Sequence, residues 1–272
     1  MWGETKMKKS YDQIIEKIFT KNYVNGKISI QFSRDELEQT AKELGLPRPK
    51  NLGDIIYSYK FRNQLPEAIR NTAPDGKYWI IKNVGKAQYN FVLSDIDTIE
   101  PDKLLVSTKI PEATPTIVKK YSLSDEQALL AIVRYNRLID IFLGIACYSL
   151  QNHLRTTVVG IGQIETDELY VGVDKSGNQF IIPVEAKGGN DKLGISQLEQ
   201  DIEMCKQKYP HLLCRSIACQ FMDSDIVALF EFREIDGEIK KIQEKHYIIV
   251  NASEIKESDL ETYCKLNLSD NK

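Results

Sequence analysis

Residues 163–172 read Gln163-Ile164-Glu165-Thr166-Asp167-Glu168-Leu169-Tyr170-Val171-Gly172, and residues 181–187 read Ile181-Ile182-Pro183-Val184-Glu185-Ala186-Lys187. Between them stands Asp174-Lys175-Ser176-Gly177, a turn sequence that predicts a hairpin between strands Leu169–Val173 and Phe180–Glu185. Strand residues alternate faces, so Glu185 and Lys187 point the same way, and so do Glu165 and Asp167. The Glu-x-Lys triplet alone carries little weight, since it arises about once or twice by chance in a chain with ~25% charged residues. Glu4-Thr5-Lys6, Asp75-Gly76-Lys77, Glu238-Ile239-Lys240 and Glu254-Ile255-Lys256 repeat its form. Glu185-Ala186-Lys187 differs in its setting. It ends an apolar strand, Gly188-Gly189 follows it, and a cluster of three carboxylates precedes it at another strand.

Outward from this segment, Leu129, Leu130, Ile132, Val133, Leu138 and Ile139 fall at helical spacing behind Ser124-Asp125-Glu126-Gln127, which has the form of a capping box. Helical character is expected to about Leu154, with a break near Gly144, followed by a strand over Val158–Ile164. Beyond the hairpin, a helix is expected from about Ser196 to Lys208. Strands are expected over Leu212–Phe221 and Ile226–Phe232, then, after the Asp236-Gly237 turn, a last one ending near Val250. The order is helix, three strands, helix, strand.

That order, with an acid on one strand and Glu-x-Lys on the next, resembles the PD-(D/E)XK nuclease superfamily, and in particular type II restriction endonucleases. The resemblance implies an α/β (α+β) core with a mixed sheet flanked by helices, in which Asp167, Glu185 and Lys187 are catalytic. Asp167 and Glu185 would hold Mg²⁺, a hard cation usually bound by one or two carboxylates and several waters. The metal would acidify a water and offset charge on a phosphate, while Lys187 would position that water or stabilise the developing oxyanions. Glu165, Asp167 and Glu168 compete for the role of first acid. Asp167 is favoured because Glu185 needs a partner on its own face; Glu165 is a second candidate ligand and Glu168 is expected to point away. Gln197 resembles a glutamine that some members place near the metal, and Glu126 is a further accessory acid. The implied partner is double-stranded DNA, and symmetric sites imply a homodimer.

The first part of the chain has a different pattern. Tyr11, Ile14, Ile15, Ile18 and Phe19 share one helical face over about residues 11–22, and Asn25-Gly26 turns into the alternating strand Lys27–Phe32. Ser33-Arg34-Asp35-Glu36 forms a capping box for a helix ending at Gly45. A second helix follows over about Asn51–Phe61, then strands Lys77–Asn83 and Gln88–Leu93. This order resembles a winged-helix domain, whose last helix enters a DNA groove. Lys50, Asn51, Lys60 and Arg62 on or beside that helix, Lys86 on the wing, and Arg155 before the catalytic strands are the expected DNA contacts, being donors suited to phosphates and base edges. The expected division is a winged-helix-like domain over 1–95, a proline-containing linker over 96–120 and a nuclease domain over 121–272.

Composition sets the frame. The 272 residues are 42% hydrophobic and 28% charged, which suits a folded chain with a real core. No apolar run approaches the roughly 20 residues that span a bilayer, and the polar, lysine-rich start lacks a secretory core, so a cytoplasmic protein with no membrane partner is expected. Five cysteines without CxxC spacing argue for reduced thiols and against zinc. The absence of GxxxxGK[ST] argues against a nucleotide cofactor. Net charge is -3, yet residues 1–120 carry 20 basic and 15 acidic side chains (+5) and the remainder 16 and 24 (-8), an asymmetry that suits a phosphate-gripping first part and a metal-holding second. Two other readings compete with the restriction enzyme: a repair or recombination nuclease of the same superfamily, and a winged-helix DNA-binding regulator without enzymatic activity.

Overall fold

The computed structural model describes residues 2–47, 51–61, 63–95, 98–121, 126–188, 193–222 and 226–270. The chain divides into two compact units. The first comprises Met1–Glu100, Arg155–Glu165 and Asp191–Glu203; the second comprises Pro101–Leu154, Thr166–Asn190 and Met204–Lys272. The first crossing, at Glu100–Pro101, falls inside the stretch read from sequence as a linker, and two later stretches return to the first unit.

The first unit opens with helix α1 (Trp2–Asn22), strand β1 (Ser29–Ser33), and helices α2 (Arg34–Glu43), α3 (Leu52–Phe61) and α4 (Glu67–Arg70). Strands β2 (Tyr78–Gly85) and β3 (Gln88–Ser94) complete a three-stranded antiparallel sheet of order β1-β3-β2, and β4 (Thr98–Ile99) follows. The capping box that starts α2 is formed: the Glu36 amide donates to Ser33 Oγ at 3.3 Å and the Ser33 amide donates to Glu36 Oε2 at 2.8 Å. Ile14, Ile15, Ile18 and Phe19 of α1 bury their face with Leu37, Ile55, Ile69 and Phe91. Phe91 meets Phe19 edge-on at 5.2 Å and stacks on Phe32 at 4.7 Å, geometries favoured by aromatic quadrupoles. The helix begins nine residues before the expected Tyr11, because residues 2–10 hold only Trp2 and Met7 as large apolar residues and give no apolar period to read. The short α4 escaped the sequence reading for want of length.

The second element set is built on a mixed eight-stranded sheet flanked by helices. It contains β5 (Ser107–Pro111), α5 (Thr116–Tyr121), α6 (Glu126–Tyr135), α7 (Leu138–Leu143), β6 (Ala146–Val158), β7 (Gly162–Val173) and β8 (Gln179–Lys187). After β9 (Leu193–Gly194), which pairs with β4, come α8 (Ile195–Lys208), β10 (Leu213–Cys214), β11 (Ser216–Phe221), β12 (Ile226–Ile235), β13 (Glu238–Val250) and α9 (Glu257–Asp270). The strand order is β5-β13-β12-β11-β8-β7-β6, with β10 beside β8. β8 and β11 run parallel, as a helical crossover between them requires; β7–β8, β11–β12 and β12–β13 are antiparallel. β8 lies between β11 and β7 and is buried along nearly its whole length, which explains its unbroken apolar sequence.

Three expectations are corrected here. The stretch 146–154 is strand, not helix: Gly144 in the left-handed region (φ 67) ends α7, and β6 begins two residues later. The expected strand over Val158–Ile164 is interrupted: Val158 ends β6, residues 159–161 form the turn and Gly162–Ile164 open β7, with Gly160 and Gly162 at positive φ. The stretch 96–120 carries β4, β5 and α5, β5 being held by parallel pairing to β13, a contact no local period announces. Helix α9 is mostly exposed over residues 257–266 and was likewise invisible as a pattern. Ser124 of the expected capping box lies outside the described residues.

The five cysteines are free thiols. No helix among the described residues is long and apolar enough to cross a membrane.

Candidate active site

The turn between β7 and β8 is set by Asp174, whose Oδ1 accepts the amides of Ser176 at 2.8 Å and Asn178 at 2.9 Å, and by Gly177 at φ 82. From there the ladder runs from Val173–Gln179 to Glu168–Val184. Asp167 lies one residue beyond that last pair. Its Oδ2 accepts the Ala186 amide of the neighbouring strand at 2.9 Å, which fixes the carboxylate beside Glu185 and Lys187.

Glu185 is 1% exposed and Lys187 8% exposed, so this is a charged group of side chains held away from water. Lys187 Nζ lies 3.7 Å from Glu185 Oε2 and 3.5 Å from Glu126 Oε1, at the start of α6. Burial works to depress the lysine, but the carboxylates of Glu185, Asp167 and Glu126 outweigh it and hold the ammonium above its ordinary range. Lys187 therefore keeps a positive charge among three acids. Such a cluster is stable only while its members remain together, because removing one partner leaves a buried charge without compensation.

Glu168 belongs to the other face of β7. It is fully buried, receives Arg134 Nε of α6 at 2.8 Å and Ser149 Oγ of β6 at 2.7 Å, and thereby ties α6 to the sheet. Alternation along β7 thus assigns Asp167 and Glu168 opposite duties. No local pattern names Arg134 as the partner, since 34 residues separate the two. Cys219 of β11 is fully buried near this group; burial, and secondarily the charge of Asp167, push its thiol well up, so it is no nucleophile.

The remaining candidates are dispersed. Glu165 is exposed and pairs with Arg155 at 3.1 Å. Gln197 is half-buried early in α8 and belongs to the first unit. Asn51 spends its side-chain oxygen on the Gly53 amide at 3.0 Å, at the start of α3. Lys60 is half-buried and 3.5 Å from Asn83 Oδ1; burial holds its ammonium down to about 8, against the opposing charge of Glu199. Lys86 is exposed on the β2–β3 turn. Lys50 and Arg62 lie outside the described residues.

Among the described residues, no three His, Cys, Asp or Glu side chains converge as a ready-made metal cage. What the second unit offers is oxygen from Asp167 and Glu185, with one charge-assisted donor beside them.

No protein-family model matches the chain, and no curated protein or solved structure is detectably similar to it.

Proposed function

We propose that the protein is a Mg²⁺-dependent, sequence-specific endonuclease of double-stranded DNA, with a PD-(D/E)XK core and a winged-helix-like recognition region. The observation that carries this reading is the grouping of half-buried Asp167 with buried Glu185 and Lys187 where the pairing of β7 with β8 ends, with Glu126 reaching Lys187. The element order around it, α6–α7, β6, β7, β8, α8, β11, supports the same reading. So does the series α1, β1, α2, α3, β2, β3 with its three-stranded sheet, which fits a winged helix.

The donor set suits Mg²⁺, which is satisfied by one or two carboxylates with waters and a phosphate oxygen completing its shell. Asp167 and Glu185 would hold it, and bound there it would supply an acidified water and Lewis acidity. Asp167 is oriented by the Ala186 amide before any ligand arrives. Lys187, kept cationic by its neighbours, stabilises negative charge building on the phosphate as the water oxygen bonds to phosphorus and the P–O bond breaks. Exposed Lys86 and Arg155 supply phosphate contacts that set the register on the duplex.

The test is digestion of a long, unmethylated duplex by purified protein with Mg²⁺, beside EDTA and Lys187→Ala lanes. Discrete bands lost in both controls are expected, with at least a 100-fold drop for the variant. A smear would instead favour a repair nuclease, and cleavage by Lys187→Ala at the wild-type rate would refute the site.

A further inference from the structure

We propose that Gln220 is a water-positioning residue of the Lys187 centre, an inference that rests on the hydrolytic function proposed above. In the parallel pairing of β8 with β11, Gln220 stands opposite Lys187 and Ala218 opposite Glu185. Paired residues of neighbouring strands project to the same side of a sheet, so Gln220 shares the face of the two charged groups. Its partner on the other side, in β12, is Ala228, and two residues earlier on its own strand stands Ala218. The neighbours of Gln220 on that face, Ala218 and Ala228, are short.

The Gln220 side-chain oxygen is buried and accepts no hydrogen bond among the described residues. A buried acceptor left in this state costs about 1–3 kcal/mol, so a donor that completes it is favoured. Lys187 directs its ammonium to Glu126 and Glu185, at 3.5 and 3.7 Å. The group that would complete this acceptor is a donor, and in a hydrolytic centre the donor at hand is water. An amide neither gains nor loses a proton near neutrality, so Gln220 acts by orientation. It accepts one O–H of the attacking water and leaves the oxygen lone pair aimed at phosphorus. The water oxygen bonds to phosphorus as the ester P–O bond breaks; the water's other proton passes to solvent, and the departing oxygen takes one from solvent. Orientation of this kind is where misplacement by about 1 Å costs ~100-fold in rate.

The experiment uses the full-length protein, a long unmethylated duplex and Mg²⁺, with Gln220→Leu, Gln220→Glu and Lys187→Ala compared with the wild type. Gln220→Leu keeps the size and removes the acceptor; Gln220→Glu keeps an acceptor oxygen. The expected result is a loss in kcat of about 100-fold for Gln220→Leu with KM and melting temperature unchanged, and recovery of most of that loss in Gln220→Glu. Wild-type kcat in Gln220→Leu beside an inactive Lys187→Ala overturns the inference and leaves the nuclease reading standing. A rise in KM or a fall in melting temperature that accounts for the loss overturns it too, by making Gln220 structural. Should Gln220→Leu fail to fold, Gln220→Glu decides: kcat near wild type supports acceptance of the water, and kcat as low as Lys187→Ala overturns it. An inert wild type, or an active Lys187→Ala, removes the nuclease reading and this inference with it.

Discussion

At Glu231 four donors converge on a carboxylate that solvent does not reach. Arg215 grips it with Nε and Nη2, both at 2.7 Å; Arg233 Nε approaches to 2.6 Å and Gln243 Nε2 to 2.8 Å. Burial works to raise this carboxyl, but its bonds to Arg215 and Arg233 prevail and hold it below the usual range. A depressed folded value means the stabilisation is present above the unfolded value of about 4.3 and is lost as pH falls through the folded one. Glu231→Gln should therefore lower stability by about 3 kcal/mol at pH 7, chiefly by stranding Arg215, with the half-exposed Arg233 adding little. Urea denaturation at pH 7 and pH 3 checks it: the deficit should narrow in acid, and an equal deficit at both would refute the ionic account. Around Lys187 the ion-pair distances are longer, 3.7 Å to Glu185 and 3.5 Å to Glu126.

Strands β7 and β8 carry Asp167, Glu185 and Lys187, and Gly172 is where they leave no space. A Cβ there would lie 3.1 Å from Ile145 Cδ1, 3.2 Å from Ile182 Cδ1 and 3.3 Å from the Ala146 carbonyl oxygen. Gly172→Ala should cost about 1–3 kcal/mol through overpacking, read as a shift in denaturation midpoint without a change of slope; an unchanged midpoint would show the strands yielding. These two strands were legible because β8 is apolar throughout and its turn is spelled by Asp174 and Gly177. β6 was not, because its residues 148–153 are all exposed and carry no alternation, leaving the helix before it as the nearest pattern to extend. Period two placed Glu185 and Lys187 on one face; the facing of Asp167 and Glu185 rested on the resemblance and depends on the register of β7 against β8. The grip of Arg134 on Glu168 and the register of Gln220 against Lys187 were not legible, since both depend on pairings between segments more than 30 residues apart. Glu126 was proposed from its place at a helix start, and its approach to Lys187 required that helix to settle against the sheet.

For the molecule as a whole, the exposed cations proposed to touch DNA, Lys86 in the basic first part and Arg155 beyond it, are where electrostatics should show. Replacing Lys86 and Arg155 together by Ala should weaken DNA binding about evenly across sequences and reduce the slope of log K against log salt by about 2, one for each phosphate contact. Fluorescence anisotropy with a labelled duplex between 50 and 200 mM salt, on the order used for such slopes, measures this; an unaltered slope would place both residues off the DNA. The passage of the chain between its two units has another consequence. Because residues 155–165 and 191–203 return to the first unit, a single cut near residue 100 yields no self-sufficient half. The first unit is therefore not a detachable cassette: exchanging it whole would take three coordinated grafts, over residues 1–100, 155–165 and 191–203.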